Sequence, residues 1–148
     1  MSGDRAQTSL RIFLAEDNPG DVELVRVALR EHAIVCHLSL ATDGFEAKRF
    51  IERMGSDPDA PCPDLLLLDL NLPKADGHEV FAMFRAHPLC VHTPVIVVTS
   101  SDAQTDRERA AALGAAHFFR KPSDLGEFLK LGGVIRQVAA SHGLLPPG

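Results

Sequence analysis

A chain of 148 residues with 45% hydrophobic content reads as one ordinary globular domain, large enough to bury a core without disulfide staples. Its net charge of −5, with no run of Lys and Arg, gives duplex DNA binding little to work with, because that binding draws on phosphate neutralisation. No apolar run approaches the roughly 18 residues of a membrane helix, and Met1-Ser2-Gly3-Asp4-Arg5 lacks a signal peptide's hydrophobic stretch, so a cytoplasmic protein without membrane association is expected.

Residues 1–9 are expected as a flexible leader to a single domain over 10–148, with no separate output domain. The first strand, Leu10-Arg11-Ile12-Phe13-Leu14-Ala15, ends in the acids Glu16 and Asp17. Pro19-Gly20 then starts a helix to about Glu31, with Val22, Val25, Ala28 and Leu29 as its core stripe. A second strand, Val35 to Leu40, leads into Asp43-Gly44 and a helix to about Met54. The turn formers between Gly55 and Pro63 make a surface loop. Leu65-Leu66-Leu67-Leu68 follows, a pure hydrocarbon run bounded by turn residues, which is the pattern of a strand buried on both faces of a parallel sheet.

Beyond Asp69 and the turn Leu70-Asn71-Leu72-Pro73, a third helix is lined by Val80, Met83 and Phe84 and ends near His87-Pro88. The strand Val95-Ile96-Val97-Val98 ends in Thr99-Ser100-Ser101, and a helix from Gln104 to Leu113 stops at Gly114. The strand Ala116-His117-Phe118-Phe119-Arg120 ends in Lys121-Pro122, and a last helix spans about Ser123 to Ser141 before Gly143 and Pro146-Pro147 break it. Five βα units result, the signature of an α/β doubly wound parallel sheet.

Open sheets of this kind bind ligands at the C-terminal tips of their strands. Taken alone, Asp69 could equally cap a helix or open a turn. Yet four strands deliver two acids, an acid, a hydroxyl and an amine to one edge, which chance does not arrange readily. The three cysteines, Cys36, Cys62 and Cys90, form no CxxC and read as reduced, packed thiols. The seven histidines are scattered, without the spacing of a structural zinc site.

The acid pair Glu16-Asp17, Asp69 followed by Asn71, Pro73 and Asp76-Gly77, then Thr99 and Lys121-Pro122 together resemble the receiver domain of bacterial two-component response regulators, from about Leu10 to Leu145. The resemblance implies the flavodoxin-like fold with strand order 2-1-3-4-5, which sets the first and third strands side by side. Carboxylates crowded at those two strand ends call for a cation, and a hard oxygen-rich site that stays open to phosphate suits Mg²⁺. By resemblance its ligands are Asp17, Asp69 and the backbone carbonyl of Asn71, with Glu16 acting through water. Asp69 is then the nucleophile that becomes an aspartyl phosphate, and Lys121 pairs with it before transfer and with the phosphoryl oxygens afterwards. The Lys121-Pro122 bond is expected to be cis, as in the family.

The resemblance also implies a switch, in which Thr99 bonds the phosphoryl group and vacates space for the aromatic residue three positions before the lysine. That residue is Phe118. Receivers often carry Tyr there, and this chain has none. The stretch Glu16-Asp17-Asn18-Pro19-Gly20-Asp21 and the loop before Asp69 further resemble stand-alone regulators of phytochrome kinases. The expected partners are therefore a sensor histidine kinase, such as a bacteriophytochrome, or a histidine phosphotransfer protein, docking on the first helix at Leu24 and Val27. On the last helix, Leu125, Phe128, Leu129, Gly132 and Ile135 make one apolar stripe, and Leu131, Val134 and Val138 a second. The second stripe is expected to be surplus to the core and to join two copies as a homodimer.

Two other classes compete with a phosphoacceptor. A phosphohydrolase with an Asp nucleophile wants a second acid two residues later, where this chain has Asn71. A degenerate receiver acting as a scaffold is at odds with the intact set Asp17, Asp69, Thr99 and Lys121. The expected role is thus signalling rather than metabolic catalysis.

Overall fold

The computed structural model describes residues 9–145; the expected leader, apart from Ser9, and the Pro146-Pro147 stop lie outside the described residues. Five parallel strands, β1 (Leu10–Ala15), β2 (Cys36–Ala41), β3 (Leu65–Leu68), β4 (Val95–Thr99) and β5 (His117–Arg120), form one sheet in the order 2-1-3-4-5. The register sets Ala15 beside Leu68 and Leu68 beside Val97, so β1, β3 and β4 end nearly level. This levelling puts their C-terminal residues on one edge.

The continuous leucine run has a direct physical reason. Leu66 and Leu68 belong to a core on one face of the sheet, while Leu65 and Leu67 belong to a core on the other. Alternating side chains of one strand therefore serve both faces. The first core receives Phe50 and Ile51 from α2 (Gly44–Arg53), Val80, Phe81 and Phe84 from α3 (Gly77–Ala86), and Ala110 from α4 (Gln104–Ala112). The second receives Val22, Val25 and Leu29 from α1 (Pro19–Glu31) and the apolar residues of the last two helices. Each fully buried leucine contributes roughly 1.5–3 kcal/mol relative to exposure.

Helix starts follow local rules. Asn18 caps α1 through its Oδ1, which accepts from Asp21 N at 3.0 Å, and Pro19 occupies the first turn, where no N–H is required. Asp43 and Asp76 cap α2 and α3 in the same way. By contrast α4 has no side-chain cap and buries only Ala110.

The C-terminal region departs from the expected single helix. It forms a short α5 (Leu125–Phe128) and a separate α6 (Leu131–Ser141). Gly132 lets α6 approach α1 closely, since a Cβ there would lie 2.5 Å from the Ala28 carbonyl oxygen. His32 Nε2 meets the Leu129 carbonyl at 3.1 Å and Arg136 donates to the His32 carbonyl at 2.8 Å, closing the same junction. Both apolar stripes of this region face inward, since Phe128, Gly132 and Ile135 of the first are buried along with Leu131 and Val138 of the second. Leu131 is 0% and Val138 8% exposed, and half-buried Val134 packs against the same core, so the expected dimer face is interior. Leu125, from the stripe assigned to the core, is instead 57% exposed.

Candidate functional site

Side chains at the C-terminal ends of four strands converge. Glu16, directly after β1, and Asp69, directly after β3, are buried, whereas Asp17 is exposed. Oxygens of these three carboxylates lie within 4.8 Å of one another. Lys121, directly after β5, reaches Glu16 Oε1 at 2.8 Å and Asp69 Oδ2 at 2.9 Å. The backbone frames this cluster, with Asp69 N donating to the Ala15 carbonyl at 3.0 Å and Lys121 N to the Thr99 carbonyl at 2.7 Å.

Asp69 has one oxygen for each neighbour. Its Oδ2 faces Lys121, and its Oδ1 accepts from Asn71 N at 2.9 Å. The Thr99 hydroxyl, fully buried at the end of β4, accepts from Asn71 Nδ2 and from Ser101 N, both at 3.3 Å. Ser101 is tied in turn to Asp106, which meets His78 Nε2 at 3.0 Å, so the segment after Thr99 is braced from α3 and α4.

The electrostatics follow from burial. Desolvation pushes the Glu16 carboxyl up to about 7, with the Lys121 hydrogen bond opposing the shift and the charge of Asp69 adding to it. Burial also works against the Lys121 ammonium, but the hydrogen bonds it donates to Asp21, Glu16 and Asp69 outweigh it and hold the amine well above its ordinary value. Crowded hard oxygen donors with one exposed member fit a small divalent cation that keeps part of its water shell.

One expected feature is corrected. The Lys121-Pro122 bond is trans, and the described residues contain no cis peptide. Trans is the lower-energy isomer of an X-Pro bond by about 0.5–1 kcal/mol, and in it the Lys121 amine already reaches its carboxylates.

Phe118 is half-buried against the first core, and the Arg107 guanidinium carbon lies 4.5 Å from its ring centroid. Phe119 points to the second core and meets Phe128 edge-on at 6.1 Å between centroids. On α1, Leu24 and Val27 are both half-buried, and Leu24 leans on the second core. Val27 therefore stands less free of the molecule than its helical angle implies.

Sequence reasoning missed one member of the site. Asp21 Oδ2 lies 2.7 Å from Lys121 Nζ, the shortest of the three contacts of the ammonium. The available signal was Pro19, because a helix that starts so soon after β1 stands its first turn on the same edge.

Comparison with known proteins matches residues 12–131 to the family model of the response regulator receiver domain. The response regulator Rcp1 of Synechocystis sp. is 35% identical over 120 residues, covering 81% of this chain and 82% of that protein. The phosphorylated cyanobacterial phytochrome response regulator RcpA superposes with a TM-score of 0.81 at 32% identity, covering 94% of this chain and 99% of that one. The Mn(2+)-bound form of response regulator Rcp1 gives a TM-score of 0.78 at 32% identity, covering 94% of this chain and 97% of that one.

Proposed function

The chain belongs to the response regulator receiver domain family, and from that premise we propose that Asp69 accepts a phosphoryl group from a sensor histidine kinase. The observation that carries this reading is the Asp69 carboxylate at the tip of β3, paired with Lys121 at 2.9 Å and grouped with Glu16 and Asp17. In the transfer an Asp69 oxygen forms a bond to phosphorus as the bond between phosphorus and the kinase imidazole breaks. The imidazole keeps the electron pair. Lys121 offers positive charge to the phosphoryl oxygens, and the Thr99 hydroxyl can leave Asn71 and Ser101 to bond one of them.

Mg²⁺ suits the site, with Asp17, Asp69 and the Asn71 carbonyl as ligands and Glu16 acting through water. Such an ion, when bound, offsets the negative charge that builds up on the transferred group. Support for a divalent cation comes from the donor set and from the Mn(2+)-bound relative. A phytochrome-type kinase, or a phosphotransfer protein, is the donor we favour, because a structural relative is a phytochrome response regulator. It would dock on α1 near Leu24 and Val27. The output is a changed protein surface around Phe118.

A phosphohydrolase reading is weaker. Asn71 supplies an amide where an acid is wanted, and that amide is engaged with Thr99. Incubation with acetyl phosphate and Mg²⁺ should add one acid-stable, base-labile phosphoryl group, which Asp69→Asn abolishes. Thr99→Ala and Lys121→Ala should retain some modification but lose the difference in hydrogen exchange across residues 99–122. Modification that persists in Asp69→Asn overturns the assignment.

A further inference from the structure

We propose that Asp21 is a positioning residue that restrains the Lys121 ammonium and so weakens the grip of the site on a dianionic phosphodonor. This deepens the reading of Asp69 as phosphoacceptor and rests on it. An ammonium has three N–H donors. In this protein three carboxylates surround it, Asp21 at 2.7 Å, Glu16 at 2.8 Å and Asp69 at 2.9 Å. The Lys121 side chain is 11% exposed, which leaves little room for water to join. A phosphoryl oxygen can gain this amine only by displacing one of the three.

The three contacts differ in what phosphorylation does to them. Asp69 gives up its negative charge when one of its oxygens becomes bonded to phosphorus, so that contact weakens by itself. Glu16 stands in the group of acids that can hold a metal, where a cation competes with Lys121 for its oxygens. Asp21 lies outside that group and on a different element, the first turn of α1. Nothing in the transfer neutralises it. It therefore keeps hold of Lys121 throughout, and its negative charge opposes the arriving phosphate.

A purely structural account makes a different forecast. An acid in the first turn of a helix favours the helix dipole, so its loss would cost stability and leave donor binding alone. The test measures initial rates of modification against acetyl phosphate concentration, with Mg²⁺, in wild type, Asp21→Asn and Asp21→Glu. In that reaction the new Asp69–phosphorus bond forms as the donor's O–P bond breaks, and acetate leaves with the electron pair. Asp21→Asn should lower the half-saturating donor concentration by roughly threefold to tenfold, as removal of one nearby unit charge implies. The rate at saturating donor should change much less, and Asp21→Glu should restore the wild-type half-saturation. A half-saturation in Asp21→Asn equal to or above that of wild type overturns the proposal. If Asp21→Asn unfolds, Asp21→Ser is read by the same criterion. Should wild type itself acquire no group at Asp69, it is the phosphoacceptor reading that has failed.

Discussion

The guanidinium of Arg107 on α4 sits over the ring of Phe118 on β5, 4.5 Å from its centroid. This pairing supplies a polar anchor at a position where many receivers use a tyrosine hydroxyl. It also ties down α4, whose only buried residue is Ala110. Arg107→Ala should cost about 0.5–1 kcal/mol of unfolding free energy, the range of a cation–π contact at an exposed site. Denaturant titration reads that loss. The ring of Phe118 should also become more mobile by NMR, and Arg107→Lys should recover part of both effects.

Gly77 makes a second prediction, because it sets the backbone beside Asp69. Its N–H donates to the Leu70 carbonyl at 3.2 Å, and a Cβ at this position would lie 2.5 Å from Leu70 Cα. Backbone cannot yield as the end of a side chain can. Gly77→Ala should destabilise the fold by roughly 1–3 kcal/mol, in the manner of an overpacked core. Since Leu70 adjoins Asp69, phosphorylation by acetyl phosphate should slow as well. A variant with unchanged midpoint and unchanged rate would show that this turn has slack.

The inward turn of α6 can be checked by separating stability from association. Leu131→Ala empties a fully buried position and should cost about 2–5 kcal/mol in denaturant unfolding. Exposed Leu125→Ala should stay within about 0.5 kcal/mol. Light scattering should report the same mass for the Leu125→Ala and wild-type proteins, and for Leu131→Ala while it remains folded. A clean dissociation of Leu131→Ala with unchanged stability would restore that residue to an interface.

Cys90 carries a pH prediction. Burial, with a further contribution from the charge of Cys62, pushes its thiol up to about 11. An acid with a raised value stays protonated longer, so at pH 8 only about one molecule in a thousand holds the reactive thiolate. Alkylation of Cys90 by iodoacetamide should be very slow at pH 8 and rise about tenfold per pH unit while the fold persists. Mass spectrometry with Cys90→Ala as the reference distinguishes this site from Cys36 and Cys62. Rapid labelling of Cys90 at pH 8 would contradict its burial.

Much of this protein is local and so was legible in its residues. Leu65–Leu68 declared a strand with two buried faces, and the spacing of Val22, Val25, Ala28 and Leu29 declared the buried stripe of α1, because side-chain periodicity depends only on the backbone repeat. The acids, hydroxyl and amine at strand ends could be collected before any contact was known, since parallel strands share one direction and bring their C-terminal tips to one edge. What remained hidden depends on approach between distant segments. Asp21 and Lys121 are a hundred positions apart, and only the seating of α1 over the sheet brings them to 2.7 Å. The Arg107–Phe118 stack depends on how α4 lies against β5. The burial of Leu131 and Val138 depends on how α6 packs, with Gly132 seated against Ala28 and His32. Helical periodicity assigns an angle to each residue but not the surface it meets, and packing against α1 decided that.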